Sequence, residues 1–218
     1  MALTGELILA RHGQAHCNLA GVAGGDRTCT GLTPAGRHQV TALSRRLRAE
    51  HGSGRPIDVL YSSPRLRVRQ TAEILAAELG LEPTEEPGLA GLRHGQADGK
   101  PWAELKAAFG GPPQARPDRA YAVGAETWND YLARTCAALS GLLGRHSGQR
   151  ILVAGHGETI ESAFTLLLGL SPGTSTRVGF APAHASLTRW ARQRNRLGQQ
   201  TWILTTFNDT CHLEGGAL

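Results

Sequence analysis

The chain has 218 residues, of which 40% are hydrophobic and 19% charged, a composition typical of one globular domain over residues 1–218. Its formal net charge of +5 suits a small anionic partner and is too modest to indicate nucleic acid. No stretch approaches the ~20 apolar residues that span a bilayer. The first apolar run lacks the basic flank of a signal peptide, so we expect a cytoplasmic protein.

Strand-like and helix-like patterns alternate along the first third of the chain. Leu7–Ala10 is an apolar run typical of a buried strand, and Arg11–Gly13 follows it directly. Thr33-Pro34 has the residue types of an N-cap and a first helical position, so it predicts the start of a helix. Ile57–Tyr61 predicts a second strand, and Ser63-Pro64 predicts the start of a second helix.

Proline then interrupts the regular pattern. Six of the eleven prolines lie between residues 83 and 117, so we expect an irregular excursion with one short helix near Trp102–Phe109. An excursion of this length within a compact domain is usually functional. We therefore interpret residues 83–125, called the cap region below, as an inserted segment over the site.

Regular patterns return after the cap region. An amphipathic helix is predicted from Trp128 to Leu143, a third strand at Ile151–Ala154, and a helix after His156-Gly157. Residues 184–193 and 200–207 predict a closing hairpin. Strands that alternate with helices predict an α/β fold, a three-layer α/β/α sandwich with a mainly parallel central sheet.

The three predicted strands all end in residues suited to phosphate chemistry. Arg11 and His12 follow the first strand, Arg67 lies shortly after the second, and His156 follows the third. The carboxyl ends of parallel strands lie at one edge of a sheet, so these side chains should converge. Arginine binds phosphate through two donors, and histidine can act as a nucleophile. The helix after His156 would also direct its positive end at this edge.

Motifs in a fixed order support this interpretation. They are RHGQAHCN (11–18), LTPAGRHQV (32–40), SSPRLRVRQTAEIL (62–75), GAETWNDYLAR (124–134), VAGHGET (153–159) and NDTCHL (208–213). In these motifs the chain resembles the histidine phosphatase superfamily, in its phosphoglycerate-mutase-like branch. The resemblance covers nearly the whole chain.

The resemblance implies a metal-independent phosphatase that hydrolyses a small phosphomonoester and releases inorganic phosphate. It implies that His12 becomes phosphohistidine, that Arg11 and Arg67 hold the phosphoryl oxygens, and that His156 donates a hydrogen bond to the same group. No cofactor or metal is needed, because these cationic groups supply the charge. Further substrate contacts are expected from Asn18, Thr30, Gly31, His94 and Gly157.

The protonation states of the two histidines follow from these roles. His12 must be neutral at its attacking nitrogen, so its other nitrogen should donate to an acceptor such as a backbone carbonyl near Gly13. His156 is more useful as a cation, and a bound dianion would raise its pKa.

One position departs from the family. Its usual general acid is a glutamate, and alignment on Leu89 and Gly95 places Gly91 there. A leaving alkoxide needs a proton, and a positioned acid is worth typically ~10²–10⁴-fold. Asp98, Glu158 and His94 could replace the glutamate, and we favour Asp98 first and Glu158 second. A substrate with a good leaving group would need no acid.

Two other functions remain open. A phosphoglycerate-mutase-like transfer is disfavoured because LAGLRHGQADG (89–99) lacks the glutamate-centred motif of the mutases. A catalytically weak relative that binds phosphorylated ligands or a protein partner is supported only by Gly91.

Two further patterns favour ordinary structural interpretations. The arginines of residues 189–196 suit a solvated hairpin edge better than a nucleic-acid contact. His12 and His16 have a spacing that zinc ligands use on a helix, but Gly13 after a strand argues against a helix there. The sequence carries no signal of oligomeric state.

Overall fold

The structure, a computed structural model, describes residues 2–171, residue 174 and residues 178–214. Within these residues one sheet contains the strands β1 (Ala2–Arg11), β2 (Val59–Ser62), β3 (Pro83–Glu85), β4 (Arg150–Gly155), β5 (Leu187–Arg194) and β6 (Gln200–Asp209). The α-helices are α1 (His16–Leu19), α2 (Pro34–Gly52), α3 (Leu66–Leu79), α4 (Trp102–Phe109), α5 (Trp128–Arg145) and α6 (Gly157–Leu167). None of the described helices combines the length and the apolar character that crossing a membrane requires.

The sheet has the strand order β3-β2-β4-β1-β5-β6. The first four strands in that order run parallel to one another, whereas β5 and β6 form an antiparallel hairpin beside β1. The mainly parallel sheet and the closing hairpin are therefore confirmed.

Alternating side chains of the central strands build a core on each face of the sheet. In β1, Ile8 packs with residues of α2 and α3, while Leu7 and Leu9 pack with residues of α5 and α6. In β4, Leu152 and Val153 divide between the two faces in the same way. This alternation follows from the two-residue period of a strand. The two helix pairs and the sheet give the predicted three layers.

The start of α2 is as predicted, whereas α3 begins later than Ser63. Thr33 accepts a hydrogen bond from the backbone N–H of Gly36 at 2.9 Å, which caps α2 before Pro34. Strand β2 ends at Ser62, and Pro64 disfavours the helical conformation at Ser63, the residue before it. Residues 64–65 form a bend, and Arg65, at φ −69° and ψ 133°, is the N-cap of α3. Ser63 thus stays at the sheet edge, ahead of the helix.

The cap region contains α4 as predicted, and it also adds β3 to the sheet, which the sequence analysis did not predict. Arg134 of α5 fixes its position: it donates to the carbonyls of Gly88 at 2.8 Å and Ala90 at 3.0 Å. The same guanidinium pairs with Glu126 at 2.8 Å.

The expectation of a solvated hairpin edge for residues 189–196 is wrong where the run begins. β5 lies inside the sheet, between β1 and β6, and Arg189 is buried. Its guanidinium pairs with Glu6 at 3.4 Å and with Glu50 at 2.7 Å. These pairings occupy Arg189, so it is not available to a nucleic acid.

Candidate active site

The ends of β1, β2 and β4 bring the predicted residues together. The pairing of β1 with β4 continues beyond Arg11, because the backbone N–H of His12 donates to the carbonyl of Gly155 at 3.0 Å. Ser63 likewise donates to Ala154 at 3.2 Å. The ring centroids of His12 and His156 lie 5.5 Å apart. Two strand ends thus place two histidines edge to face.

His12 is oriented for attack through Nε2. Its Nδ1 lies 2.7 Å from the carbonyl oxygen of Gly13, so Nδ1–H donates there and Nε2 keeps its lone pair. Arg67 donates from Nε to this Nε2 at 3.1 Å. Burial, followed by the charges of Arg67 and Arg11, holds the pKa of His12 well below its usual range. The imidazole of His12 is therefore neutral and buried at physiological pH, with its lone pair at Nε2.

Arg67 connects the elements of the site. Its Nη1 donates to the carbonyl of Gly24 at 2.9 Å, and its Nη2 lies 3.3 Å from Nδ1 of His156. One guanidinium thus contacts both histidines and the loop after α1. This placement gives phosphoryl oxygens a fixed bidentate partner between the two rings.

Arg11 lies on the other side of His12. It donates from Nη2 to Nε2 of His184 at 3.2 Å and from Nη1 to the carbonyl of Pro182. Burial lowers the pKa of Arg11, and the negative charge of Glu158 partly opposes that shift. Glu158 and Arg11 are therefore electrostatic neighbours within the site.

His156 is the N-cap residue of α6 and is buried. Its Nε2 lies 2.9 Å from the hydroxyl of Ser63, which leaves Nδ1 on the side of Arg67. Burial comes first among the causes that lower its pKa well below the usual value, followed by the charges of Arg67 and His12. His156 is neutral in this environment, and a dianion beside it would shift its pKa upward.

The converging side chains surround a small polar cavity of about 60 Å³. Seven residues singled out from the sequence or the resemblance line it: Arg11, His12, Asn18, Arg67, His94, His156 and Glu158. The other lining residues are Cys17, Val22, Gly24, Gly91, Leu92 and Trp102. The cap region thus contributes part of the wall, including His94 and Trp102.

Three expected substrate contacts lie outside this wall. Thr30 is exposed, and Gly31 uses a left-handed backbone (φ +95°) to bring its loop against Gln70. A Cβ on Gly157 would lie 3.8 Å from Nε of Arg11, so this first residue of α6 borders the site without lining the cavity.

Asp98, the favoured proton donor, is not placed to serve that role. It lies outside the cavity wall, and its two oxygens accept hydrogen bonds from the backbone of Gly25 at 2.8 Å and Arg27 at 3.0 Å and from the hydroxyl of Thr28. Burial raises the pKa of Asp98, but these bonds outweigh it and lower the pKa overall. Asp98 is an ionised anchor for residues 25–28, which corrects the expectation.

Gly91 is in close contact with His156. A Cβ at this position would stand 3.0 Å from both Cε1 and Nε2 of the His156 ring. A side chain here would therefore require the ring to move by a few tenths of an ångström. The His156 ring thus packs closely against the position at which the family has its glutamate and this chain has glycine.

Three residues of the site did not emerge from the sequence as functional. Ser63 orients His156, and Arg65 donates to the carbonyls of Gly24 at 2.9 Å and Gly91 at 3.3 Å. His184 contacts Arg11, and its ring centroid lies 5.8 Å from that of His12. The SSPRLR motif contains the signal for Ser63 and Arg65, since both follow a strand end.

A larger cavity of about 420 Å³ lies elsewhere, between α2 and the hairpin. Its charged lining is largely paired, as in the contacts of Arg189 with Glu6 and Glu50. None of the residues that line the small polar cavity lines this larger one, so chemistry rather than size locates the site. Among the described residues, no group of three or more histidine, cysteine or carboxylate side chains could hold a metal ion.

Comparisons with known proteins agree with this geometry. The model of the histidine phosphatase superfamily (branch 1) matches residues 7–203. A probable phosphoglycerate mutase of Photorhabdus laumondii is 28% identical over 98% of this chain and 97% of its own length. A metal-independent phosphoserine phosphatase of Arabidopsis thaliana is 27% identical, with 95% and 83% covered.

Solved structures have the same fold. One of them is phosphoserine phosphatase from Entamoeba histolytica in complex with 3-phosphoglyceric acid. It superimposes with a TM-score of 0.75 at 25% identity and covers 96% of this chain and 99% of its own.

Proposed function

The chain belongs to the histidine phosphatase superfamily, and from this premise we propose that it hydrolyses small phosphomonoesters through a phosphohistidine on His12. The observation that carries the proposal is the pair of contacts on the His12 ring. Nδ1 donates to Gly13, and Nε2 receives Arg67 within the phosphate-sized cavity. A neutral imidazole nitrogen held beside a guanidinium is what in-line attack on a phosphoryl group requires.

In the first step the phosphoryl group takes over the Arg67 donor, which frees the Nε2 lone pair of His12. Nε2 then attacks phosphorus, and the ester P–O bond breaks with its electron pair going to the leaving oxygen. Charge on the transferring group spreads over three equatorial oxygens. Arg11 and Arg67 neutralise it with fixed donors, and the amino end of α6 adds partial positive charge. The proposal needs no metal, because these groups supply the stabilisation. Proximity of the dianion would raise the pKa of His156 and favour its donation from Nδ1.

Glu158 is the proton donor that we propose for the leaving oxygen. It lies on the first turn of α6 and lines the cavity together with His12 and His156. The hydrogen bonds of Asp98 to residues 25–28 favour Glu158 over Asp98, and Gly91 has no side chain. In the second step the carboxylate of Glu158 would take a proton from water, which attacks phosphorus and releases inorganic phosphate with neutral His12.

We propose that the cap region selects the substrate. His94 and Trp102 extend the cavity wall from the phosphoryl position, and their ring centroids lie 5.5 Å apart. The relatives named above act on or bind small phosphorylated metabolites, so a compound of that class is the proposed substrate. We propose the cytoplasm as its compartment, since all four cysteines are free thiols, as a reducing environment favours.

The test is a phosphate-release assay on aryl and alkyl phosphomonoesters in the presence of a chelator, with wild type beside His12→Ala. The proposal expects release by wild type and a loss of at least about 10³-fold in His12→Ala, because the variant lacks the nitrogen that forms the covalent intermediate. Equal rates in the two proteins would contradict the nucleophile assignment. Phosphoryl transfer to an added acceptor without phosphate release would indicate a mutase instead.

A further inference from the structure

His184 is one of two residues that hold the guanidinium of Arg11. Nη2 of Arg11 donates to Nε2 of His184 at 3.2 Å, and Nη1 donates to the carbonyl of Pro182. Both acceptors belong to residues 182–186, which lead into β5 and are called the pre-β5 segment below. We propose that His184 is a positioning residue that aims Arg11 at the phosphoryl group and thereby sets the affinity of the site for phosphate; this inference rests on the function proposed above.

The direction of the hydrogen bond between Arg11 and His184 follows from their chemistry. A guanidinium carries only donors, so Nε2 of His184 is the acceptor and the ring proton lies on Nδ1. Burial first, then the charges of Arg11 and Arg67, lowers the pKa of His184 to about 4. The ring is therefore neutral at physiological pH and keeps the lone pair that the bond from Arg11 requires.

Arg11 retains a donor for a ligand while it is held in this way. Its Nε is buried and, among the described residues, has no hydrogen-bond partner. Arg11 also lines the small polar cavity together with His12. A buried donor without a protein partner is uncommon and calls for an explanation. The pre-β5 segment holds the guanidinium through Nη1 and Nη2, which leaves Nε available to a phosphoryl oxygen.

The backbone of the pre-β5 segment is bonded to the same two residues whose side chains form the site. Ala185 donates its N–H to the carbonyl of His12 at 3.2 Å, and the carbonyl of Ser186 accepts from the N–H of Arg11 at 3.1 Å. Ala185 is buried and has a left-handed backbone (φ 56°), which residues other than glycine rarely adopt. Such conformations persist where the surroundings enforce them, and they cluster at functional sites. The position of His184 is therefore fixed relative to Arg11 and His12.

His184 would act on phosphate only through Arg11. Its ring is not among the residues that line the cavity, whereas Arg11 is. Without the His184 ring, the guanidinium keeps its bond to the carbonyl of Pro182 and loses the one at Nη2. A misplacement of ~1 Å in a group that positions the substrate can cost about 10²-fold in rate. Loss of the ring should therefore weaken phosphate binding and catalysis as far as both depend on Arg11.

The experiment compares wild type with His184→Ala, His184→Gln, His184→Asn, Arg11→Ala and the double variant Arg11→Ala/His184→Ala. Calorimetry measures the Kd of inorganic phosphate, and steady-state kinetics measures kcat and KM on an aryl phosphate. A glutamine can place its carbonyl oxygen where Nε2 of His184 lies, whereas the shorter asparagine reaches only the position of Nδ1. The glutamine variant can therefore restore the acceptor for Arg11, and the asparagine variant cannot.

His146→Ala is the matched control. His146 is also half-buried and hydrogen-bonded, to Tyr61 at 2.8 Å and to Gln149 at 2.7 Å, and it does not line the cavity. Its removal should lower the urea midpoint and leave the Kd of phosphate unchanged. The control therefore shows what the loss of a hydrogen-bonded histidine does when that histidine has only a structural role.

The proposal expects His184→Ala to weaken phosphate binding and to lower kcat/KM by about 10–100-fold, because a hydrogen bond to a charged group is lost. His184→Asn should behave in the same way. His184→Gln should stay within about threefold of wild type, since a carbonyl oxygen also accepts a charge-assisted bond. In the Arg11→Ala background, removal of the ring should add less than about twofold, because the two residues act as one unit.

Two results would overturn the positioning role. One is a glutamine variant as impaired as the asparagine variant, a comparison that holds even if His184→Ala does not fold. The other is a set of losses that multiply in the double variant, since His184 would then act independently of Arg11. Variants that lose stability but bind phosphate as tightly as wild type would likewise reduce His184 to a structural role.

Calorimetry also keeps the two proposals apart. If the protein releases no phosphate from any ester, the expected pattern of Kd values would still support His184 as the residue that positions Arg11, while the proposed function fails. If wild type hydrolyses esters and every His184 variant binds phosphate equally well, the positioning role fails and the proposed function stands. A wild-type protein that binds no phosphate would contradict both.

Discussion

Arg67 donates from Nε to Nε2 of His12 at 3.1 Å, so the proposed nucleophile and the proposed phosphate-binding arginine orient each other before a substrate arrives. The bond is buried, and both partners are fixed from other directions, His12 by Gly13 and Arg67 by Gly24. Such preorganisation limits reorganisation in the proposed reaction to the shift of the Arg67 donor from His12 to the phosphoryl group, and a small reorganisation cost favours electrostatic catalysis.

Arg67→Lys should lower kcat/KM by about 10²–10³-fold. A lysine keeps the charge, but its single ammonium cannot contact His12, His156 and a phosphoryl oxygen together. Steady-state kinetics on an aryl phosphate measures the effect. Arg69→Lys is the matched control, since Arg69 is exposed on the same helix. A loss in Arg69→Lys equal to that in Arg67→Lys would contradict the assigned role.

Glu158→Gln should slow alkyl esters by about 10²–10⁴-fold and aryl esters much less, because only the alkoxide leaving group needs a full proton transfer. The measurement is the ratio of kcat values on the two substrate types. Glu161→Gln is the control: this carboxyl lies one turn further along α6, and burial and Glu158 raise its pKa to about 7. A ratio unchanged in Glu158→Gln would remove Glu158 as the donor.

Asp98→Asn should reduce the free energy of unfolding by about 1–3 kcal/mol and leave the alkyl-to-aryl ratio unchanged. An amide nitrogen in place of one carboxylate oxygen leaves a donor facing the backbone N–H of either Gly25 or Arg27, which then has no acceptor. Urea denaturation measures the first effect, with the exposed Asp118→Asn as control. If the variant instead slowed only poor leaving groups, Asp98 would be the donor after all.

Much of this site could be predicted from the sequence because several of its residues directly follow strands. Arg11, His12 and His156 each follow an apolar run, and parallel pairing forces such ends together. The role of Asp98 could not be predicted, because its partners at 25–28 approach it only in the folded chain. Arg189 was misassigned for a related reason: local pattern does not reveal which strand of a hairpin is the outer one.

In the cap region, too, some elements could be predicted from local sequence and others depend on the folded chain. The helix Trp102–Phe109 has its own local signal, whereas β3 has only three residues and forms because β2 offers it an edge. Ser63 was assigned to a helix that starts after it. The proline that suggested a helix start instead disfavours a helical conformation at Ser63, whose hydroxyl lies 2.9 Å from Nε2 of His156.

Acid should destabilise the fold through its buried histidines. Burial first, then the charge of Arg65, lowers the pKa of His94 from 6.5 to about 4. Between these values the unfolded chain binds a proton that the folded chain does not, so stability falls as pH drops below 6.5. Wild type should lose about 2–3 kcal/mol more than His94→Gln between pH 7 and pH 4.5.

Urea midpoints of both proteins at each pH measure this difference. The control is His38→Gln, at an exposed position of α2. Parallel pH profiles for wild type and His94→Gln would show that His94 titrates normally in the folded protein.

The most direct measurement is rapid-quench mass spectrometry of the protein mixed with an aryl phosphate. The account predicts an acid-labile phosphoryl group on the peptide that contains His12, formed before steady state and absent from His12→Ala. Phosphate release without that adduct, or an adduct that maps to another histidine, would contradict it.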